Sequence, residues 1–247
     1  MPVGPQGEGQ DRRSRLRGMF DSVHVIGGGR AGATIAARLA ERGVAVAIGR
    51  PPIPESALVV LAVPDSAIAE VAQQVQRGRW VAHVSGATSL AALSPHKRRF
   101  VVHPLQTLTL ERGPEQLDGA WAAISAETKD ARVRARWLAE TLGLRPFELA
   151  DADRTLYHAG AVVGGNFLVT LYRVASRLLA ESGAPPEAIL PLMTRTVENG
   201  FDLTGPIARG DWATVEAHLA ALEDRAPDLV PLYRALADAT RSLTDPT

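Results

Sequence analysis

The amino-acid sequence predicts an α/β chain: an N-terminal doubly wound parallel sheet followed by an all-helical C-terminal region. Three observations carry this. Short β-branched runs alternate with amphipathic segments from Val23 to Leu149, and strands that are apolar at nearly every position belong to parallel sheets covered on both faces. A glycine-rich turn, "GGGRAG", joins the first run to the first helical segment. After Leu149 the strand signal stops and only helical periodicity continues.

The elements follow in order. "VHVIG" is the first strand, "RAGATIAARLAERG" the first helix, "VAVAIGR" the second strand and "ALVVLAV" the third. "DSAIAEVAQQVQRG" reads as a helix, "WVAHVSG" as the fourth strand, and "RRFVVHPLQ" and "AWAAISA" continue the alternation. The helix "DARVRARWLAETLG" leads to a last strand at residues 145–149. Four helices complete the chain, at residues 151–182, 186–202, 211–223 and 228–242. Gly183 closes the first of them, and Asp211 caps the third. The domain boundary is placed near residue 150: a disordered extension over 1–20, a nucleotide-binding domain over 21–150 and a helical domain over 151–247.

Composition narrows the function classes. At 247 residues and 46% apolar the chain buries a full core. Acidic and basic residues balance at 27 each, so no overall field draws the chain to nucleic acid or to a membrane surface. With no cysteine, disulfides, thiolate metal sites and cysteine nucleophiles are excluded; no metal site is expected, and the composition suits a reducing cytoplasm. Lys97 and Lys129 are the only lysines among the 27 basic residues, which leaves 25 arginines and reads as compositional bias. The first 20 residues hold four arginines and no apolar core, unlike a secretory signal.

The glycine turn is the most informative motif. Gly27, Gly29 and Gly32 satisfy G-x-G-x-x-G between a strand and a helix, which is the context that gives the pattern meaning. Gly27 permits the tight turn, Gly29 lets the backbone approach a pyrophosphate, and Gly32 lets the helix close on the strand. The amides of Gly28, Arg30 and Ala31 complete an anion cradle at a helix N-terminus. A dinucleotide is expected there. At the end of the second strand an NAD site usually carries a carboxylate about 20 residues on, but here Gly49 and Arg50 stand. A guanidinium pairs with a 2′-phosphate, so Arg50 points to NADP(H). The bland reading of Arg50 is one more solvated arginine.

Three further strand ends face the same crevice, because ligands of open α/β sheets bind beyond the carboxyl ends of the strands. Val63 and Pro64 would flank the ribose, with Asp65 or Ser66 capping the next helix. Ser85 and Gly86 leave room for a nicotinamide ring. His103, followed by Gln106 and Thr107, places an imidazole and an amide near a substrate, where a proton must meet a carbonyl or imine that receives hydride. His103 acting only as a turn cap is the alternative. In "YHAGAVVGGNF", His158 and Asn166 lie eight residues apart, about 80° around a helix, with Tyr157 at the rim. Helix packing through small residues is the competing reading of that segment. In "LTGPIARGDW", Arg209 either meets a substrate carboxylate or serves a neighbouring acid.

"VIGGGRAG", "HPLQT", "YHAGAVVGGNFLVTLY" and "TGPIARGD", in this order, resemble the bacterial Rossmann-like proteins that carry a C-terminal domain of unknown function, DUF2520, within the 6-phosphogluconate dehydrogenase-like superfamily. The wider resemblance is to ketopantoate and pyrroline-5-carboxylate reductases. It implies an N-terminal NADP domain, a helical domain that forms a homodimer, and a small-molecule substrate received between the two. Asn166 is at a position similar to the substrate-binding asparagine of the hydroxyacid and ketopantoate members. Their catalytic lysine has no counterpart in this helix, so the resemblance leaves its duty to His158. Together these readings give an NADPH-dependent oxidoreductase acting on a small carbonyl or imine, with His103, His158 and Asn166 as catalytic candidates and Gln106, Thr107 and Tyr157 at the substrate. The alternatives are a non-catalytic NADP-binding sensor or scaffold, and a site for an adenine nucleotide or coenzyme A derivative.

Overall fold

A computed structural model describes residues 19–49 and 57–244. Arg50 and all but Met19 and Phe20 of the expected extension lie outside the described residues. The chain divides into two compact units, residues 1–165 and 166–247.

The first unit is a seven-stranded sheet in the order β2-β1-β3-β4-β5-β6-β7. Its strands are β1 (Ser22–Ile26), β2 (Ala45–Ile48), β3 (Leu58–Leu61), β4 (Trp80–His83), β5 (Arg99–Pro104), β6 (Trp121–Ser125) and β7 (Arg145–Glu148). Three helices accompany them: α1 (Arg30–Glu41), α2 (Ile68–Gln74) and α3 (Lys129–Thr141). β1 lies between β2 and β3, so the chain reverses its direction of travel across the sheet at that point. Such a switch point opens a crevice beyond the strand ends.

Side chains alternate between two buried faces along each central strand. Val23, Val25, Leu58 and Val60 face one cluster, together with Ile35 and Leu39 of α1 and Trp137 and Leu138 of α3. Ile26, Val59, Leu61, Val81 and Val101 face the other, with Ile68 and Ala72 of α2. This two-sided burial is why the strands read as continuous apolar runs instead of alternating ones.

The sheet departs from the expected parallel order at β6, which pairs antiparallel with β5. Residues 105–120 contain only a short 3-10 turn, Pro114–Leu117, and lack the α-helix that usually carries a parallel return. α3 then carries the chain to β7, parallel to β6. Phe20, at the end of the stretch read as an extension, is only 5% exposed and packs edge-on against Trp80 and Trp137.

After the 3-10 turn Asp151–Asp153, α4 (Arg154–Val162) closes the first unit. The single helix expected over 151–182 is interrupted by a π turn, Val163–Phe167, before α5 (Leu168–Glu181). The second unit is helical: α5, α6 (Ile189–Glu198), α7 (Trp212–Arg225) and α8 (Val230–Thr244). Asp211 caps α7 as expected, its carboxylate accepting from the Thr214 N–H at 3.2 Å, and Gly183 ends α5 with φ +85°. α5 and α6 bury none of their residues, and Leu190, Leu192 and Phe201 are among the exposed apolar side chains. Among the described residues no helix is long and apolar enough to cross a membrane.

Replacing Phe20 by Ala removes an aromatic anchor from three stacked rings. The expected loss in urea unfolding is about 3 kcal/mol; a change below about 0.5 kcal/mol would show that residues before β1 are not part of the core.

Candidate functional site

The glycine turn has the shape its sequence implies. Gly27 has φ +112°, and a Cβ there would stand 2.2 Å from the Ala62 carbonyl oxygen; a Cβ on Gly32 would stand 1.9 Å from the carbonyl of Gly27. These two glycines let β1, β3 and α1 close together. Gly28 and Gly29 differ, since a Cβ on either meets nothing within 4 Å. Gly29 caps α1 without a side-chain acceptor, and the first turn holds no acid. The first in-helix bond runs from Ala33 to the Gly29 carbonyl at 2.9 Å, so the amides of Arg30, Ala31 and Gly32 precede the helical ladder. A cavity of about 540 Å³ adjoins the turn, lined by Ile26, Gly27, Gly28, Ile48, Val63 and Pro64 among others. Its walls are mostly apolar beside the backbone of Gly27 and Gly28, a form that suits a nucleotide.

A second cluster stands at the carboxyl ends of β4 and β5, on the same sheet edge as the turn. His103 Nδ1 and the Tyr157 hydroxyl are 2.8 Å apart, and the two rings meet edge to face at 5.5 Å between centroids. His158 packs against His103 at 6.2 Å. Gly86 lets them converge: a Cβ there would come within 2.6 Å of His158 Cδ2 and 2.8 Å of His103 Cε1 and Nε2. The strand register explains the place of Tyr157. His103 pairs with Ala123, and Ala123 with Phe147. Tyr157 contacts both outer rings, at 5.5 Å from His103 and 5.9 Å from Phe147, above the small alanine between them.

Arg154, 1% exposed, fastens α4 to this edge. Its guanidinium donates to the carbonyls of Ser85 at 3.0 Å and Gly86 at 3.1 Å, to Ser125 Oγ at 3.1 Å and to Asp151 at 3.2 Å. Asp151 also accepts from Ser89 Oγ at 2.5 Å and from the Leu90 N–H at 2.9 Å. Burial would raise the pKa of Asp151, but these hydrogen bonds and Arg154 hold it below the usual carboxylate range. Sequence reasoning missed Arg154 and Asp151. "DADR" at a helix start, with acids directly ahead of an arginine, was the available signal.

Burial and the Arg154 charge lower two of the imidazoles. His103 is lowered to about 4, first by burial, then by Arg154 and His158. His83 is lowered to about 4 by burial and then Arg154; it accepts from the Ser85 N–H at 3.2 Å, which leaves Nε2 to donate toward the Ser89 carbonyl at 3.4 Å. Tyr157 is pushed up to about 12 by burial.

The remaining expectations fare unevenly. Ser85 is not an open wall, because its hydroxyl donates to Asp65 at 2.7 Å and accepts from the Ala87 and Thr88 amides. Asp65 therefore reaches across to β4 and caps no helix. Gln106 and Thr107 are exposed, and the Gln106 carbonyl oxygen accepts from the Thr107 N–H at 2.9 Å. Asn166 is exposed within the π turn at the start of the second unit. The 80° offset to His158 assumed an unbroken α-helix, and i→i+5 bonding resets that phase.

Seven strands with the nucleotide-type turn at the switch point define a Rossmann-type unit followed by a helical one. The chain matches the family model described as a Rossmann-like domain over residues 50–107 and the one described as domain of unknown function DUF2520 over residues 120–240. It thus joins a Rossmann-like domain to a DUF2520 domain. No curated protein matches it. Among solved structures it is similar to BF3122 of Bacteroides fragilis, named as a candidate NADP oxidoreductase, with a TM-score of 0.77 and 23% identity over 90% of this chain and 98% of that one. It is also similar to TM1727 of Thermotoga maritima, at 0.72 and 22% over 90% and 98%. A reductive aminase of Aspergillus terreus, in complex with NADPH and ethyl levulinate, aligns at 0.63 and 15% over 91% and 95%. At these identities the likeness establishes the fold.

The neutral histidines carry a stability consequence. Unfolded imidazole titrates near 6.5; with folded values near 4 for His83 and His103, the unfolded chain takes up protons first as pH falls. Stability is therefore expected to decline from pH 6.5 toward 4 and then level, by on the order of 3 kcal/mol for the fully buried His83. Urea midpoints of wild type and His83→Gln across this range check it; parallel profiles would contradict it.

Proposed function

We propose that the chain is an NADPH-dependent oxidoreductase that reduces a small carbonyl or imine, such as a 2-oxo acid. One observation carries the reading: a strip of unobstructed backbone at Gly28 and Gly29, beside an apolar cavity, shares its sheet edge with an imidazole pair held over Gly86. In this reading the amides of Gly29, Arg30, Ala31 and Gly32 bind the pyrophosphate, Val63 and Pro64 flank a ribose, and Arg50 takes the 2′-phosphate. Bound NADPH supplies the hydride. His103 or His158 supplies the proton, and Asn166, Gln106, Thr107 and Tyr157 orient the substrate. The NADPH complex of the reductive aminase supports the cofactor by analogy of fold. The same reading includes a homodimer through the helical unit, supported by the unburied apolar faces of α5 and α6.

A non-catalytic NADP-binding sensor is the second reading, favoured by the lack of lysine in α4 and α5. Single-turnover oxidation of NADPH with a panel of small 2-oxo acids and cyclic imines separates the two: turnover supports the enzyme, and tight binding with none supports the sensor.

Calorimetric titration with NADPH, NADH and coenzyme A tests the cofactor. NADPH is expected to bind more tightly than the other two, and Arg50→Ala to erase the preference over NADH. Gly29→Ala is expected to keep the wild-type melting temperature and weaken NADPH by about 10-fold or more, because its methyl group enters the strip and touches no protein atom. No heat at millimolar NADPH would overturn the reading.

A further inference from the structure

We propose that Tyr157 and His103 form a proton relay, in which His103 hands its Nε2 proton to the substrate and Tyr157 resupplies Nδ1. This rests on the reductase reading and chooses between its two histidines. Geometry separates them. At the space over Gly86, His103 presents its Cε1–Nε2 edge, whereas His158 presents the carbon Cδ2. The opposite nitrogen of His103, Nδ1, lies 2.8 Å from the Tyr157 hydroxyl. His158 makes no hydrogen bond among the described residues, so no side chain stands behind its ring to resupply a proton. One imidazole therefore has a replaceable proton behind it and a free nitrogen in front.

The direction of the hydrogen bond follows from chemistry. His103 is neutral at physiological pH and carries a single N–H, while burial keeps the Tyr157 hydroxyl protonated. Among the described residues the hydroxyl's one hydrogen-bond partner is His103, and a phenol donating to an imidazole nitrogen leaves the ring proton on Nε2. Arg154, whose charge is buried behind the pair, further disfavours a doubly protonated ring and favours any negative charge that develops in front of it.

The step balances. As the carbonyl carbon gains hydride from bound NADPH, the C=O π pair moves to oxygen, which takes the Nε2 proton of His103. The hydroxyl proton of Tyr157 passes to Nδ1. After the product leaves, Nδ1 returns that proton to the phenolate oxygen while solvent delivers one to Nε2. The net change is one hydride and one proton added to the C=O bond, and the paired transfers restore the Nε2–H tautomer. Tyr157 is then a positioning residue that acts through His103, where the sequence placed it at the substrate.

Long-range ¹H–¹⁵N correlation spectra of the full chain labelled at histidine nitrogen, assigned with His103→Asn, read the tautomer directly. The relay requires His103 to be the Nε2–H tautomer at pH 7.5 in wild type and to become a tautomer mixture in Tyr157→Phe. With a carbonyl that wild type reduces, Tyr157→Phe should lose about 10-fold or more in turnover with NADPH affinity unchanged. An Nδ1–H tautomer in wild type, or an unchanged rate in the variant, overturns the relay. Failure to bind NADPH overturns the reductase reading instead and is measured separately.

Discussion

The buried guanidinium of Arg154 is the interaction on which the candidate site depends. A charge 1% exposed is costly to desolvate, and it persists because carbonyls, a hydroxyl and a carboxylate meet it. Its partners come from distant parts of the chain: the end of β4 at Ser85 and Gly86, the end of β6 at Ser125, and Asp151 ahead of α4. Because α4 starts at this knot, Tyr157 and His158 are delivered to His103 one turn later. The same charge helps keep His83 and His103 neutral. One residue therefore sets the geometry of the cluster and adds to the burial that lowers His83 and His103.

The antiparallel turn at β6 has a related consequence. It lines up His103, Ala123 and Phe147 across three strands, and the Tyr157 ring meets both outer rings of that row. A large side chain at position 123 would lift that ring away from His103. The fold thus positions the dyad through a strand whose direction breaks the pattern of its neighbours.

Much of this was legible in the sequence, and the rest was not for identifiable reasons. Continuous apolar runs and the glycine turn specify a parallel sheet because they reflect local burial and backbone clearance. β6 misled because its composition matches a parallel strand; only the missing helix over 105–120 betrayed the reversal. The π turn at 163–167 was marked by its glycines, but their cost in an α-helix does not say how the helix adjusts. His103, Tyr157, His158 and Gly86 were each singled out, yet their convergence over one glycine is a tertiary fact. Ser85 read as open space because a small side chain says nothing of the three hydrogen bonds its hydroxyl joins. Arg154 stayed hidden among 25 arginines, since the acids of "DADR" mark a helix start without saying that the guanidinium behind them is buried.

The most direct test of the central claim is the ring contact between Tyr157 and His103 in Arg154→Lys, followed by nuclear Overhauser effects in the otherwise intact chain. An ammonium cannot reproduce the fork of bonds to Ser85, Gly86, Ser125 and Asp151. The account expects the Tyr157–His103 cross-peaks to vanish while amide protection of β1, β3 and β4 persists. Cross-peaks of unchanged strength, with the sheet equally protected, would contradict it.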